Sequence, residues 1–316
     1  MLNIVYACDE KYNLQLQNSI YSILSNTNHL ISIFIIHKNP ETFKNYKTFL
    51  INTFKNLKIE IYKFDNTNFS FPNLINKHVS EATYYRLFVD CFVPKSIDFF
   101  VYLDADILAI NDIANYYLDV QKRILNSNQS IGCRTEFIRN EINDEKFFSL
   151  KMNANNYFNA GVMFIDYKKW QSEKHGENLL INLTNNNLDF EYWDQDLLNS
   201  YFDGDYFEIS ECFNKNINLR WKHSITEIQF ENILLHFQGN NKPWNIRTST
   251  NKISNLYHDV SFKTIGKYHL EIKIVRRDLI YLFFNTINLS TLLLNKKTLY
   301  FKNVIQEIFK KIKVKL

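Results

Sequence analysis

The sequence predicts an α/β domain built on a mostly parallel central sheet, and three observations carry that prediction. Segments of strand length recur at residues 2–7, 31–37, 58–64 and 99–103, all but the third of them apolar runs of the kind that buried strands require. Segments with apolar residues at helical spacing separate the first three, the alternation expected of βα units. The first and last runs end on polar residues, Cys8 and Asp9 in one case and Asp104 and Asp106 in the other. Open α/β sheets gather ligands beyond the carboxyl ends of their strands, so these two ends are expected to line one pocket.

Along the chain, Leu2–Ala7 reads as the first strand. Gln15–Asn26 follows as a helix with Leu16, Ile20, Ile23 and Leu24 on one side. "ISIFIIH" at 31–37 is the second strand, and Phe43–Phe54 is a helix carrying Phe43, Tyr46, Leu50 and Phe54 at helical spacing. Lys58–Phe64 is the third strand, Ala82–Cys91 is expected to be helical, and Phe99–Leu103 is a further strand. The polar stretch Asn66–Lys77 is a candidate lid.

With 46% hydrophobic residues, 27 Phe and 19 Tyr in 316 residues, the chain can fill a large core, which excludes a disordered protein. Four cysteines far apart in sequence give neither a zinc site nor a disulfide scaffold. The start, "MLNIVYACDEKY", lacks the basic opening and long apolar core of a secretory signal, so a reduced, cytoplasmic setting is expected.

Charge is unevenly placed. From Gly266 onward eleven Lys or Arg face three acids, a net +8, which leaves −4 on the rest of a chain whose total is +4. The body therefore shows no basic face of the kind that nucleic acid requires, whereas the tail suits an anionic partner. Asp278–Leu294 is apolar but broken by Asn285, Thr286, Asn288, Ser290 and Thr291, short of the roughly 20 mostly apolar residues of a membrane span. Lys302–Leu316 places Ile305, Ile308, Phe309 and Ile312 on one helical face with lysines elsewhere. That pattern suits a helix lying in a membrane surface; the plainer alternative is a helix packed on the protein or docked on a partner. A catalytic domain over 1–262 and a basic, apolar, membrane-associating appendage over 263–316 are expected.

The sharpest local feature is "VYLDADIL" at 101–108. Acids two apart on an extended segment point to the same side, so Asp104 and Asp106 can jointly hold a hard cation that completes its shell with phosphate oxygens. The plain alternative is a solvated loop that happens to carry two acids.

Further motifs decide between these. "VYACDEKY" (5–12), "ATYYRL" (82–87), "YLDADI" (102–107), "YFNAGVMFIDYKKW" (157–170), "DQD" (194–196) and "LLHFQGNNKPW" (234–244) occur in this order. Together they resemble glycosyltransferase family 8, and within it the bacterial lipopolysaccharide and lipooligosaccharide galactosyl- and glucosyltransferases. The resemblance runs from about Leu2 to Trp244.

It implies a GT-A type nucleotide-sugar-binding fold. It also implies retaining transfer of galactose or glucose from a UDP-sugar to a glycolipid or oligosaccharide acceptor, with Mn²⁺ as cofactor and Mg²⁺ as the alternative. Ala7, Asp9 and Tyr12 match nucleotide contacts, while Lys11 stands where the family often has Asn. Arg86 matches an arginine that holds sugar and diphosphate. Asp104, Asp106 and His236 match the metal ligands, and Ala105 a backbone contact to ribose. Asn159 and Ala160 match sugar contacts, Asp194 and Gln195 the residues at the reacting face, and Gly239 and Lys242 diphosphate contacts. His78 matches an acceptor-side histidine; Arg134 and Glu136 match the acceptor pocket loosely.

Each has a plainer reading. His236 can be a satisfied core histidine, Arg86 an ion-pair partner, Asp194 the cap of a helix beginning near Asp196, and Trp244 packing as readily as sugar stacking. At the level of the whole protein, one alternative is a non-catalytic sugar-nucleotide or carbohydrate-binding protein of the same fold. Another is a nucleotidyltransferase, which would normally carry a Gly-rich or basic phosphate loop near the first strand; "YACDEKYN" is neither.

Overall fold

In the computed structural model, which describes residues 1–65, 71, 80–139, 144–185, 190–219, 228, 231–272, 278, 280, 283 and 297–313, the expected strands form as β1 (Leu2–Cys8), β2 (Ile31–His37), β3 (Leu57–Lys63) and β4 (Phe99–Leu103). β5 (Ile107–Ala109), β6 (Ile131–Ile138), β7 (Asn156–Asp166), β8 (Phe207–Glu208), β9 (Lys215–Asn216) and β10 (Leu234–His236) follow. The main sheet has the order β3-β2-β1-β4-β7-β6-β8. It is parallel except at β7, which runs antiparallel to β4 and β6.

The helices are α1 (Asn13–Asn26), α2 (Lys44–Thr53), α3 (Val89–Phe92), α4 (Ala114–Leu125), α5 (Asp144–Ser149), α6 (Tyr167–Ser172), α7 (His175–Asn185), α8 (Trp193–Phe202), α9 (Ser254–Ile265) and α10 (Lys297–Lys313). β1 and β2 read as continuous apolar runs because both faces of the sheet are covered. Leu2, Ile4 and Tyr6 pack with Leu16, Ile20 and Ile23 of α1, while Val5 and Ala7 pack on the opposite side with Tyr84, Tyr85 and Phe88. β3 sits at the edge, and its exposed Lys58, Glu60 and Lys63 guard that edge against pairing.

Two expected local structures differ in ways that matter for the site. Residues 82–91 form a 3₁₀ helix, Glu81–Phe88, followed by the short α3. Side chains three apart eclipse in a 3₁₀ helix, so Thr83 and Arg86 both reach Asp194, at 2.5 and 2.7 Å. Asp104 and Asp106 are not on an extended segment. β4 ends at Leu103, and the chain turns, with Ile107 N donating to Asp104 O at 3.3 Å, before re-entering as β5.

β5 pairs with β10, and β10 with β9, in a second small sheet whose register sets His236 opposite Ile107, next to Asp106. Neither the turn nor this pairing is visible in periodicity.

The tail does not stand apart from the body. The expected boundary between 262 and 263 falls inside α9. α10 packs Tyr300 and Val304 against Ile246, Tyr268, Leu270 and Ile272. Tyr300 and Ser249 share a hydrogen bond of 2.9 Å, and Tyr268 N donates to Asn303 Oδ1 at 3.1 Å. The expected apolar face is therefore divided: Ile308 is half-buried, whereas Ile305 and Phe309 are 52% and 61% exposed. The Ile312 side chain, most of Asp278–Leu294 and all of the candidate lid except Phe71 lie outside the described residues. Among the described residues no helix is long and apolar enough to cross a membrane.

Candidate active site

A cavity of about 650 Å³ opens beyond the carboxyl ends of β1 and β4. Its lining includes Ala7, Asp9, Tyr12, Arg86, Asp104, Ala105, Asp106, Asn159, Ala160, Asp194, Gln195, His236, Gly239 and Lys242. The fold thus gathers these predicted residues from segments up to 235 positions apart in one place. His78 lies outside the described residues.

At the floor, one ligand atom from each of Asp104, Asp106 and His236 lies within 4.8 Å of the others. Asp106 Oδ1 is buried, lacks a hydrogen-bond partner among the described residues and stands 3.4 Å from His236 Nε2. Asp106 Oδ2 accepts from the Lys242 ammonium, which also donates to Phe237 O at 2.6 Å. Burial works against the Asp106 charge, but the Lys242 ammonium outweighs it and holds the carboxyl below the usual range. A bare, buried carboxylate oxygen facing an imidazole nitrogen, with a second carboxylate alongside, is a mixed O/N donor set suited to a divalent cation. The residues fit the metal that the sequence implied.

Arg86 is 9% exposed and bridges two acids. Nη2 meets Asp104 Oδ1 at 2.8 Å, Nε meets Asp194 Oδ2 at 2.7 Å, and Nη1 donates to Ala160 O. Its plane also covers the Tyr102 ring at 4.4 Å, and Tyr102 OH donates to Asp104 Oδ1 at 3.0 Å. The ion-pair reading of Arg86 is therefore part of the site: it orients Asp104 while restraining Asp194.

Asp194 does not cap α8, which begins one residue earlier with Tyr192 at the cap position. Burial, opposed by Arg86 and by Thr83, pushes the Asp194 pKa up to about 6. Between the ordinary carboxylate range and that value the native state holds a proton that the unfolded chain has lost, so stability falls as pH rises from about 4 to about 6. Asp194→Asn should flatten that part of a plot of melting temperature against pH. A profile unchanged from wild type would show the carboxyl titrating normally.

Gln195 is held on both sides. Its Oε1 accepts from Ala160 N at 3.0 Å and lies 3.4 Å from Asn159 Nδ2, while Nε2 donates to Glu136 Oε2 at 3.2 Å and to Tyr157 OH at 3.3 Å. The entry to α8 is strained: Trp193, which lines the cavity, has φ +48°, a region costly for a residue with a Cβ. Glu136 reaches the cavity, whereas Arg134 pairs with Glu208 at 2.5 Å.

At the nucleotide end, Asp9 Oδ1 accepts from Lys11 N at 3.0 Å and caps the turn that carries Tyr12. Gly239 has φ +67° with open space around it, so only a glycine adopts this rim without strain. Trp244 is packing: it is buried, stacked on His269 at 5.7 Å, with Tyr12 edge-on at 6.3 Å.

A sequence model of the family named Glycosyl transferase family 8 matches residues 3–248. The chain belongs to glycosyltransferase family 8. A putative glycosyltransferase of Haemophilus influenzae is 27% identical over 78% of this chain and 74% of its own length. The lipopolysaccharide 1,2-glucosyltransferase of Escherichia coli is 26% identical over 77% of this chain and 72% of its own. Among solved structures, the galactosyltransferase LgtC with donor and acceptor sugar analogs superposes with a TM-score of 0.65 at 20% identity, covering 89% of this chain and all of that one. That likeness establishes the GT-A fold. Family membership makes the chain a transferase with a nucleotide-sugar donor and a glycan acceptor.

Several residues that shape this family 8 site carried no assignment in the sequence. Thr83 and Tyr102 hold the acids, and Asn214 holds His236; nothing in an isolated Asn, Thr or Tyr announces that. Gly161 does carry a signal in the sequence, its place inside "FNAG". A Cβ there would lie 2.2 Å from His236 Cε1 and 2.9 Å from both ring nitrogens. Gly161→Ala should push the imidazole off the cation position and lower turnover at least about a hundredfold, the scale of a misplaced catalytic group. Melting temperature and the rate of UDP release, measured together, check this; wild-type turnover would show that the ring has room to move.

Proposed function

We propose that this chain is a retaining, metal-dependent hexosyltransferase that moves galactose or glucose from a UDP-sugar to a lipopolysaccharide, lipooligosaccharide or related glycan acceptor. The observation that carries the reading is the convergence of Asp104, Asp106 and His236 around the orphaned Asp106 Oδ1, beside Lys242 and the residues that follow β1. The acceptor class is carried over from the E. coli relative.

Mn²⁺, or Mg²⁺ in its place, held by those three residues would bind diphosphate oxygens and neutralise the charge of the departing UDP. Ala7, Asp9, Tyr12 and the Ala105 backbone take the nucleotide. Gly239 lets the diphosphate approach the backbone, and Lys242 supplies a point charge to it. Asn159, Ala160 and Asp194 hold the sugar.

An amide is a poor nucleophile, and Gln195 Oε1 already accepts the Ala160 N–H, so Gln195 orients and shields the reacting face. The bond from sugar C1 to the diphosphate oxygen breaks, the acceptor oxygen bonds C1 on the same face, and its proton passes to a diphosphate oxygen. Configuration is retained without the second, closely placed carboxylate nucleophile of a retaining glycosidase. His78 serves the acceptor.

UDP release from a panel of UDP-sugars, with Mn²⁺ and then with excess EDTA, tests the reading. Hydrolysis of one UDP-hexose, only with metal, supports it. Metal-dependent UDP binding without release from any donor or acceptor favours the non-catalytic alternative, and pyrophosphate release favours a nucleotidyltransferase.

Residues 1–262 supply the chemistry in this reading, and 263–316 seat the enzyme on the inner face of the cell membrane as a peripheral protein. Ile305 and Phe309 are exposed beside the exposed Lys302, Lys310 and Lys311, and burial of each apolar side chain is worth about 1.5–3 kcal/mol. Ile305→Asp with Phe309→Asp should weaken binding to vesicles rich in anionic lipid at least about tenfold without changing turnover of a soluble acceptor. Truncation after Asn295 is the poorer test, because it strips Tyr300 and Val304 from the cluster they form with Ile246, Tyr268, Leu270 and Ile272. An unchanged vesicle-bound fraction would defeat the tail assignment.

A further inference from the structure

His236 stands at the end of a hydrogen-bond relay whose polarity is fixed by a backbone amide. Gly161 N donates to Asn159 Oδ1 at 3.0 Å, and a backbone N–H can only donate, so the Asn159 atom facing it is the oxygen. That oxygen also meets the Asn214 amide at 3.0 Å; the Asn214 atom turned toward it must therefore be the NH₂ group. Asn214 Oδ1 is thereby turned to His236 Nδ1, 3.0 Å away. An amide oxygen accepts, so Nδ1 carries the ring proton. Nε2 keeps its lone pair, which faces Asp106 Oδ1 at 3.4 Å. Asn159, Asn214 and His236 are 6%, 3% and 4% exposed, so water competes little for these bonds. The Gln238 amide approaches the same Nδ1 at 3.5 Å, half an ångström farther than Asn214.

We propose that Asn214 is a positioning residue that locks His236 in the Nδ1–H tautomer, its own orientation dictated by the Gly161 N–H through Asn159, so that the ring presents Nε2 to a divalent cation. Partners of this kind behind a ligating histidine fix its tautomer and orientation. The relay extends past the metal side, since Asn159 Nδ2 donates to Glu136 Oε2 at 3.0 Å and lies 3.4 Å from Gln195 Oε1. One buried chain of amides therefore connects the metal ligand to the reacting face. Gly161 serves twice, as the origin of the relay and as the position whose missing Cβ leaves room for the ring.

The proposal rests on the metal-dependent reading for its purpose, but its first test does not. In the metal-free full chain at alkaline pH, nitrogen–proton correlation spectra of the imidazoles report each tautomer. The His236→Ala variant identifies the His236 signal among the eight histidines. The Nδ1–H form is expected; a dominant Nε2–H form, as Gln238 donation to Nδ1 would produce, overturns the assignment.

Mn²⁺ binding followed by electron paramagnetic resonance is the second test. Asn214→Ala should weaken binding 10- to 100-fold. Asn214→Asp, whose carboxylate still accepts from Nδ1 but sets its other oxygen against Asn159 Oδ1, should bind more tightly than the alanine variant and more weakly than wild type. An alanine variant that binds like wild type, or an aspartate variant as weak as alanine, overturns the proposal. If the alanine variant does not fold, the wild-type tautomer and the aspartate variant decide. Should wild type show the Nδ1–H tautomer yet bind no Mn²⁺, the tautomer assignment stands and the metal-dependent function falls.

Discussion

Asp106→Ala will lower metal-dependent UDP release at least about a thousandfold, the equivalent of losing several kcal/mol of charge stabilisation at the leaving diphosphate. The argument is positional. Asp106 supplies the one buried carboxylate oxygen in the cluster without a hydrogen-bond partner among the described residues, and its other oxygen anchors Lys242. Alanine removes the proposed cation ligand and frees the ammonium in one step. Asp106→Asn separates these effects: it keeps the shape and one neutral acceptor oxygen, and discards the charge. Initial rates of UDP release across a Mn²⁺ titration measure both. A variant that reaches wild-type rate at high Mn²⁺ would show that Asp106 sets affinity only, and wild-type behaviour throughout would remove it from the metal site.

Arg86→Ala will destabilise the fold by roughly 3–5 kcal/mol, the usual cost of removing one partner from a buried charge network. Asp194 is 2% exposed and has its Oδ2 on Arg86, while Asp104 Oδ1 shares Arg86 with Tyr102. Without the guanidinium both acids lose their buried cation, and the Ala160 carbonyl loses a donor. Arg86→Lys should rescue only part, because one ammonium cannot present the fork that reaches Asp104, Asp194 and Ala160 together. Denaturant unfolding measures the loss, and the double variant Arg86→Ala with Asp194→Ala should recover a fraction of it. A loss below about 1 kcal/mol would mean that the acids are solvated after all. Turnover should fall as well, since Asp104 loses the contact that aims it.

β1, β2 and β4 were legible because burial on both faces forces unbroken apolar sequence. "ISIFIIH" is β2 residue for residue, and "FFVYL" is β4. Residues 82–91 were misread because 3₁₀ and α-helix share almost the same apolar spacing over two turns; the distinction shows only in Thr83 and Arg86 both meeting Asp194. The acids at 104 and 106 were read as neighbours on a pleat, and they converge instead through a turn. The basic appendage differs from the body in charge, yet Tyr300 bonds Ser249 and packs with Ile246 of the body, and a net charge carries no information about packing.

The sequence by itself determined four strands of the main sheet, the family and the charged residues that line the cavity, because apolar period and ordered motifs are properties of the chain read along its length. Only the tertiary structure decided how those residues act on one another. The register of β10 on β5 brings His236 to Asp106, Arg86 is shared between two acids, and the lack of a Cβ at Gly161 admits an imidazole. The amide relay through Asn159 and Asn214 spans 55 positions of sequence in a single hydrogen bond. Such contacts depend on distances and donor directions between segments far apart in the chain, and these exist only once the sheet has brought them together.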